Sequence, residues 1–326
     1  MHTPTVPGPF VVGPGERPRV LCVVDRPGWA HDRKTDALAA ALAGRYRIVK
    51  RFQADVTALD LESVDVVLLY YWLQVQRLGE LATTLRRRRD RVALGVCNEI
   101  ELEGAWREPG LTMLAELPHT VFANCVSLVR TVGARIGRPV HYTPNGVDTD
   151  FFRPGPARDP SGPLRVGWAG SLTNHGPHQR GVHDFIVPAV AAVPGAELCL
   201  AAREERWRDA AEMREFYHAI DVYVCASRSE GTPNGCLEAA ACGIPVVTTR
   251  VGNMPEFIRD GENGFFVERD VGDIADRLET LRRSPDLRRR LGHAARERAE
   301  AWDWRRHALH YDELFRRVLG RADEPA

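Results

Sequence analysis

The 326 residues spell out an α/β protein built on two doubly wound parallel sheets. Three observations carry that expectation. Short apolar runs such as RVLCVVD (19–25), DVVLLYYW (65–72), PLRVGWAG (163–170) and DVYVCAS (221–227) read as strands buried on both faces. Helical stretches closed by Gly or Pro stand between them, which is the rhythm of βαβ units. That rhythm breaks once, at Pro144-Asn145-Gly146 and the Pro- and Gly-rich patch 154–163, which marks a junction between two domains.

Residues 1–16, MHTPTVPGPFVVGPGE, are expected to form a flexible tail. The first domain then covers 17–148. Its first strand, 19–25, runs into a loop, 26–35, at the strand end where open α/β sheets bind ligands. Gly28, Trp29 and His31 in that loop can line a cleft. A helix is predicted at 35–44, then strands at 46–52, 65–72, 91–99 and 119–125. Helices at 78–91 and 126–137 and a short strand, PVHYTP, complete the domain. The second domain covers 149–305 and opens with strand 163–170 and a loop holding Gly176, Arg180 and Gly181. Helix VHDFIVPAVAAV, strand 196–202 and a helix at 204–220 follow. Two further helices, 271–283 and 285–300, close the domain, and an amphipathic helix, 302–320, precedes a short tail.

Composition excludes several function classes. Basic and acidic residues balance at 44 each, so bulk charge recruits no nucleic acid. Of the 44 basic residues only Lys34 and Lys50 are lysines, a bias that carries no function of its own. The seven cysteines form no CxxC pair and lie mostly in apolar runs, as expected of buried thiols in a reducing cytoplasm. With no signal peptide and no apolar run of ~18 residues, a cytoplasmic protein with no membrane span is expected. Arg86, Arg87, Arg88 and Arg89 give one helix a basic end. It is either a contact for the inner face of an anionic membrane or a solvated end that suits the helix dipole. His175, His178 and His183 have spacings that suit no standard metal site, and no metal is expected.

The chemistry concentrates in ASRSEGTPNGCLEAAACGIPVV (226–247), which reads strand, loop, helix, strand. Thr232 is placed to cap the helix, Pro233 suits its first turn, and Gly243 with Pro245 ends it. Two carboxylates, Glu230 and Glu238, stand at the edges of the unit. The amides of 232–235 would point out of the helix N-terminus as a seat for an anion. A phosphate seat beside two hydroxyl-seeking carboxylates points to a nucleotide-sugar.

These residues carry a resemblance. PNGVDTDFF (144–152), VGWAG (166–170), Arg180-Gly181, FYHAIDVYVCAS (216–227), the Glu230 to Glu238 spacing and EAAACGIPVVTTRVGNMPEFIRDGENGFFV (238–267) resemble the retaining glycosyltransferases of family 4. The likeness covers most of 140–320, and the first half shares only the layout. It implies a GT-B fold, with two Rossmann-like domains facing a central cleft, and a final helix, 306–320, crossing back to the first domain. Trp302 and Trp304 would be its packing anchors. It further implies that Glu238 binds the ribose hydroxyls and that Glu230 lies near the donor sugar. Gly231, Thr232, Pro233, Asn234 and Gly235 would hold the diphosphate, Gly170 would admit it closely, and Arg180 would stand where the family commonly has a lysine.

Three departures accompany the resemblance. Ser171 follows the glycine of the first turn, where the family often has a second basic residue. The family's His after the fourth strand is missing, and Asn98 or Glu99 stands in its place, with Trp29 and His31 as further acceptor-side residues. The stretch after strand 196–202, where the family contacts the base, is short. The expected function is transfer of a sugar from a UDP- or GDP-linked donor to a glycan, lipid or small-molecule acceptor, with no cofactor. A non-catalytic nucleotide-sugar-binding subunit and a nucleotide-sugar 2-epimerase are the alternatives. Binding without turnover would identify the former, and an epimeric product the latter.

Overall fold

The computed structural model describes residues 16–156, 159 and 161–321, so all but Glu16 of the expected tail at 1–16, and the tail beyond Arg321, lie outside the described residues. Two separate parallel sheets organise the chain. The first contains β1 (Arg19–Val24), β2 (Arg47–Phe52), β3 (Val66–Leu69), β4 (Val92–Val96), β5 (Thr120–Ala123) and β6 (Val140–Tyr142), in the order β2-β1-β3-β4-β5-β6. The second contains β7 (Leu164–Gly170), β8 (Ala196–Ala202), β9 (Val222–Cys225), β10 (Val246–Thr248) and β11 (Gly264–Phe266), in the order β11-β10-β9-β7-β8. Each strand pair within them is parallel.

The near-continuous apolar strands are explained by cores on both faces of each sheet. In β1, Leu21 and Val23 enter one core with Val67, Leu69 and Leu94. Val20, Cys22 and Val24 enter the other, with Leu38 of a flanking helix. In β9, Val222 and Val224 pack with Val166, while Tyr223 and Cys225 face Leu237 and Phe257. Edge strand β2 is only partly buried, as its mixed sequence RIVKRF requires.

The first domain's helices are α1 (Ala30–Ala41), α2 (Ala58–Glu62), α3 (Leu73–Arg77), α4 (Leu81–Arg87), α5 (Arg107–Glu116) and α6 (Val126–Ile136). Helix α1 begins five residues before the predicted start at 35. Gly28 turns the chain with φ +70°, and the Asp32 carboxylate accepts the Gly28 N–H at 2.6 Å, closing the turn locally. His31 and Lys34 therefore stand on a helix and not in a loop. The helix predicted at 78–91 is α4 followed by a 3₁₀ turn, Arg89–Arg91. Arg88 donates to the carbonyls of Leu61 (2.9 Å), Glu62 and Val64 (2.9 Å), which ties down the end of α2. Arg86, Arg87 and Arg89 are the exposed members of that run.

The second domain adds α7 (Val187–Ala191), α8 (Ala210–His218), α9 (Asn234–Ala241), α10 (Met254–Phe257), α11 (Val271–Arg283) and α12 (Pro285–Ala301). The helix expected over 204–220 starts only at Ala210, where Asp209 and Glu212 form a reciprocal capping box. Residues 203–209 are left as a loop that reaches the cleft. The helix predicted from 182 opens as a π-helical turn, Val182–Ile186, after Gly181.

The chain crosses between domains twice, side by side. The Val147 N–H donates to Trp302 O at 3.0 Å, and the Trp304 N–H donates to Val147 O at 3.2 Å. Beyond this crossing, α13 (Trp304–Val318) lies on the first sheet. Ala308, Tyr311, Leu314, Phe315 and Val318 share a core with Val20, Cys22 and Val24. Each large apolar side chain buried there contributes about 1.5–3 kcal/mol. Asp312, buried in the same contact, accepts the Tyr46 hydroxyl at 2.7 Å and Arg45 Nη1 at 2.6 Å.

Candidate functional site

The C-terminal ends of β1, β7 and β9 open onto one cavity of about 420 Å³ between the two sheets. Ten of the predicted site residues line it: Trp29, Gly170, Ser171, Arg180, Glu230, Thr232, Pro233, Asn234, Gly235 and Glu238. The first domain contributes Trp29 together with Gly28, Ala30 and Arg33.

Glu230 lies in the loop after β9. Its carboxylate is paired with the Arg180 guanidinium and accepts the Ser227 hydroxyl at 2.9 Å. Arg180 is largely enclosed; burial pulls its pKa down, and its Nε has no partner. Glu238 stands one turn into α9, almost fully buried. One oxygen accepts the Tyr217 hydroxyl at 2.7 Å, and the other faces Arg33 Nη1 of the first domain at 3.3 Å. The Glu238 charge raises the pKa of Arg33.

The start of α9 differs from the predicted one. The residue at its N-cap position is Pro233, and no side chain caps the helix. Thr232 Oγ1 is buried with no hydrogen-bond partner, since the helix starts at Asn234, one residue later than a Thr232 cap requires. Among the described residues, nothing accepts from the N–H groups of Thr232, Asn234 and Gly235, while Pro233 has none to give. Three amides, not four, and one orphaned hydroxyl therefore face the cavity at the positive end of a helix.

Ser171 is engaged by an acid. Its hydroxyl donates to Glu204 at 2.6 Å, and the amides of Leu172 and Thr173 donate to the same carboxylate at 3.0 and 3.2 Å. Burial would raise the pKa of Glu204, but these bonds bring it down to about 2. The neighbouring Arg203 places its guanidinium 4.5 Å from the Trp29 ring and 5.0 Å from the Trp207 ring, so that residues of both domains clasp it at the cavity wall. Arg33, Arg203, Trp207 and Tyr217 were not singled out in the sequence. For Arg203 a signal existed, since it directly follows a strand at the ligand-binding end.

Four predicted residues lie outside the cavity wall. Gly231 packs between domains, against the Cys97 carbonyl. Asn98 accepts the Ile100 N–H at 3.1 Å and, across the cleft, the Ser229 hydroxyl at 2.6 Å. Glu99 is exposed at the start of a 3₁₀ turn. His31 pairs through Nδ1 with Asp25 at 3.3 Å and stacks on Tyr70. His178 is paired with Asp184 at 2.9 Å. Among the described residues no group of three or more His, Cys, Asp or Glu could hold a metal ion, and no helix is long and apolar enough to cross a membrane.

Residues 207–298 match the protein family described as Glycosyl transferases group 1. The chain is 40% identical over 98 residues to sulfoquinovosyl transferase SQD2 of Arabidopsis thaliana, covering 29% of this chain and 19% of that protein. It is 29% identical over 237 residues to alpha-maltose-1-phosphate synthase of Mycolicibacterium smegmatis, covering 59% of this chain and 60% of the relative. The matches thus span less than two thirds of those relatives' own lengths. Among solved structures, sucrose-phosphate synthase from Thermosynechococcus elongatus superposes with a TM-score of 0.75 at 16% identity, over 93% of this chain and 100% of that one. Anabaena Alr3699/HepE in complex with UDP-glucose gives 0.72 at 15% identity, over 91% and 99%. At these identities the likeness is one of fold, and the fold is GT-B.

Proposed function

We propose that this chain, whose residues 207–298 match the glycosyl transferases group 1, is a retaining enzyme moving a sugar from a nucleotide-diphospho-sugar to an acceptor hydroxyl. One observation supports the reading above others. Glu230, Glu238, the enclosed Arg180 and the unpartnered N-terminus of α9 all face a single cavity.

In this reading the ribose hydroxyls donate to Glu238 and take the place of Arg33. The diphosphate lies on the amides of Thr232, Asn234 and Gly235, with the Thr232 hydroxyl and Arg180 beside it. As the bond from the anomeric carbon to the phosphate oxygen breaks, its electron pair leaves with the diphosphate. The growing negative charge is met by the guanidinium and the helix N-terminus, and the positive charge on the sugar by Glu230. The acceptor oxygen bonds to the same face of the sugar, and its proton passes to the departing diphosphate. Charge supplied by the protein itself lets the reaction run without a divalent metal. The seven free thiols suit a reducing, cytoplasmic setting.

A thermal-shift series with UDP, GDP and their sugars tests the reading, since a ligand that binds only the folded chain raises its stability. Stabilisation by one nucleoside diphosphate, its release from the matching sugar, and an anomeric proton signal showing retained configuration are expected. A chain stabilised by none of them ends the proposal.

A further inference from the structure

Beside the main cavity, and sharing Trp29, Ser171, Asn174 and Arg203 with it, the cleft between the domains holds a second depression of about 380 Å³. Arg26 and Trp29, from the turn between β1 and α1, form one wall. His175, from the loop after β7, and Arg203 and Glu204, which follow β8, form the other. Arg26 lines this depression and not the main cavity.

Two guanidinium groups, one from each domain, meet here on a single indole ring. Arg26 Cζ lies 4.6 Å from the Trp29 ring centroid and Arg203 Cζ lies 4.5 Å from it. Stacking engages the flat face of a guanidinium and leaves the N–H groups around its edge unused. Neither side chain donates to an acceptor or pairs with an acid among the described residues. Glu204, next to Arg203 in the chain, is already engaged. Its carboxylate accepts the Ser171 and Thr173 hydroxyls at 2.6 and 2.9 Å and the Leu172 and Thr173 amides at 3.0 and 3.2 Å. Burial, with Arg33 and Arg180 nearby, pulls the Arg203 pKa down against the opposing charges of Glu238 and Glu204. Positive charge at this end of the cleft is therefore under-compensated.

The backbone around the depression is fixed. The Trp29 N–H donates to Arg26 O at 3.3 Å, and the Arg203 N–H donates to Gly170 O at 2.9 Å. His175 has φ +65° and is the one non-glycine residue at positive φ among the described residues. That conformation is costly for an L residue and clusters at ligand clamps. Here it brings His175 to the wall.

We infer that this depression binds a phosphoryl-type anion, either inorganic phosphate or a phosphate monoester, which bridges Arg26 of the first domain and Arg203 of the second. Guanidinium edges pair with the oxygens of such an anion two at a time. The site stands on the geometry above, and its effect on the donor rests on the function proposed above. A ribose that takes Glu238 removes the Arg33 link between the domains, and an anion held by Arg26 and Arg203 supplies another. Both domains also wall the main cavity. Phosphate and nucleotide thus favour the same arrangement, and each tightens the binding of the other by the same factor.

Calorimetry on the whole chain tests this, with inorganic phosphate and methyl phosphate as probes, UDP and GDP as nucleotides, and chloride holding the ionic strength constant. Phosphate is expected to bind with and without nucleotide and to lower the nucleotide Kd by a few-fold, which chloride should not do. Arg26→Gln should weaken phosphate binding by about 10–100-fold and remove the gain in nucleotide affinity, with the nucleotide Kd in chloride within about twofold of wild type. Arg203→Gln should weaken phosphate binding to the same extent. Methyl phosphate binding more tightly than inorganic phosphate identifies a phosphorylated molecule as the ligand, and otherwise the ligand is free phosphate; either supports the site. Phosphate that competes with UDP or GDP overturns the inference, since the guanidinium edges then serve the donor's own diphosphate. Phosphate binding by Arg26→Gln within about threefold of wild type, or an equal effect of chloride, overturns it too. An unchanged nucleotide Kd in phosphate overturns the link between the two sites. A chain that binds phosphate through Arg26 but neither UDP nor GDP keeps the anion site and overturns the donor reading, and nucleotide binding without phosphate binding does the reverse.

Discussion

Arg33 and Glu238 meet across the cleft at 3.3 Å, one from each domain, and with Tyr217 they occupy both oxygens of the carboxylate. A ribose can bind Glu238 only by taking the place of Arg33. Arg33→Ala should therefore tighten UDP or GDP binding by a few-fold, since a competing charged partner is removed. Glu238→Gln should weaken it by about 1.5–3 kcal/mol, the contribution of hydrogen bonds to a charged group. Calorimetry on both variants checks this; equal affinities in all three proteins would remove Glu238 from the ribose.

Arg180 is expected to act on the rate more than on binding. Its guanidinium is enclosed, and the acid Glu204 occupies the loop amides beside Ser171. No second cation from that loop shares the leaving diphosphate, so Arg180→Ala should lower kcat by about 10²–10³-fold while raising donor KM less. Arg180→Lys should recover much of the loss. Steady-state kinetics of the pair decides, and an unchanged kcat in Arg180→Ala sinks the assignment.

Gly231 tests whether domain contact is needed for turnover. A Cβ at this position would lie 1.5 Å from the Cys97 carbonyl oxygen and 2.5 Å from Asn124 Nδ2, both in the facing domain. Backbone cannot yield to that extent without parting the domains. Gly231→Ala should keep each domain folded, enlarge the radius of gyration in solution scattering and reduce transfer by at least about tenfold. Unchanged scattering with unchanged turnover would show that this seam does not close during catalysis.

The parts legible in the sequence were those fixed by local chemistry. Parallel strands announce themselves as apolar runs, and the turn signal Pro144-Asn145-Gly146 falls between β6 and β7, the last strand of one sheet and the first of the other. The unit from β9 through α9 to β10 is bounded by Gly and Pro. What was missed depends on partners far away in the chain. Helix α5 holds Pro109 and Gly110 in its first turns, where a breaker reading prevails; Gly110 is there because Trp72 and Leu102 pack closely over it. Arg33 was hidden by a helix start misplaced by five residues, which a side-chain bond from Asp32 to the Gly28 amide decides. Ser171 looked like a missing cation until Glu204, on the next strand's loop, was found holding it.

Glu101 predicts a pH dependence of stability. Burial raises its pKa from 4.5 to about 8, and its Oε2 has no partner. Between those values the unfolded chain has released a proton that the folded chain retains, so stability falls as the pH rises from 4.5 to 8. Glu101→Gln should raise the Tm at pH 8 relative to wild type and leave it nearly unchanged at pH 5. Parallel melting curves for the two proteins over this range would contradict the assignment.

Asp312 should hold α13 to the first domain. Truncation to Ala leaves the buried Tyr46 hydroxyl without its acceptor and Arg45 without its partner, at a cost of about 1.5–3 kcal/mol. A lowered denaturation midpoint with nucleotide affinity retained is the expected result, and a midpoint equal to that of wild type would count against it.

The position of α13 also sets an order of events during synthesis. One face of the first sheet, with Val20, Cys22 and Val24, is covered partly by Leu38 and Leu42 at the end of the early α1 and partly by α13, which the ribosome makes only after the whole second domain. The first half of the chain emerges early yet cannot complete its core, whereas the second half has its own core ready before the last helix is made. The amino-terminal domain is thus the last to be sealed. A nascent chain halted before Trp304 would leave the α13 share of that apolar face uncovered, and exposed apolar surface is what chaperones bind.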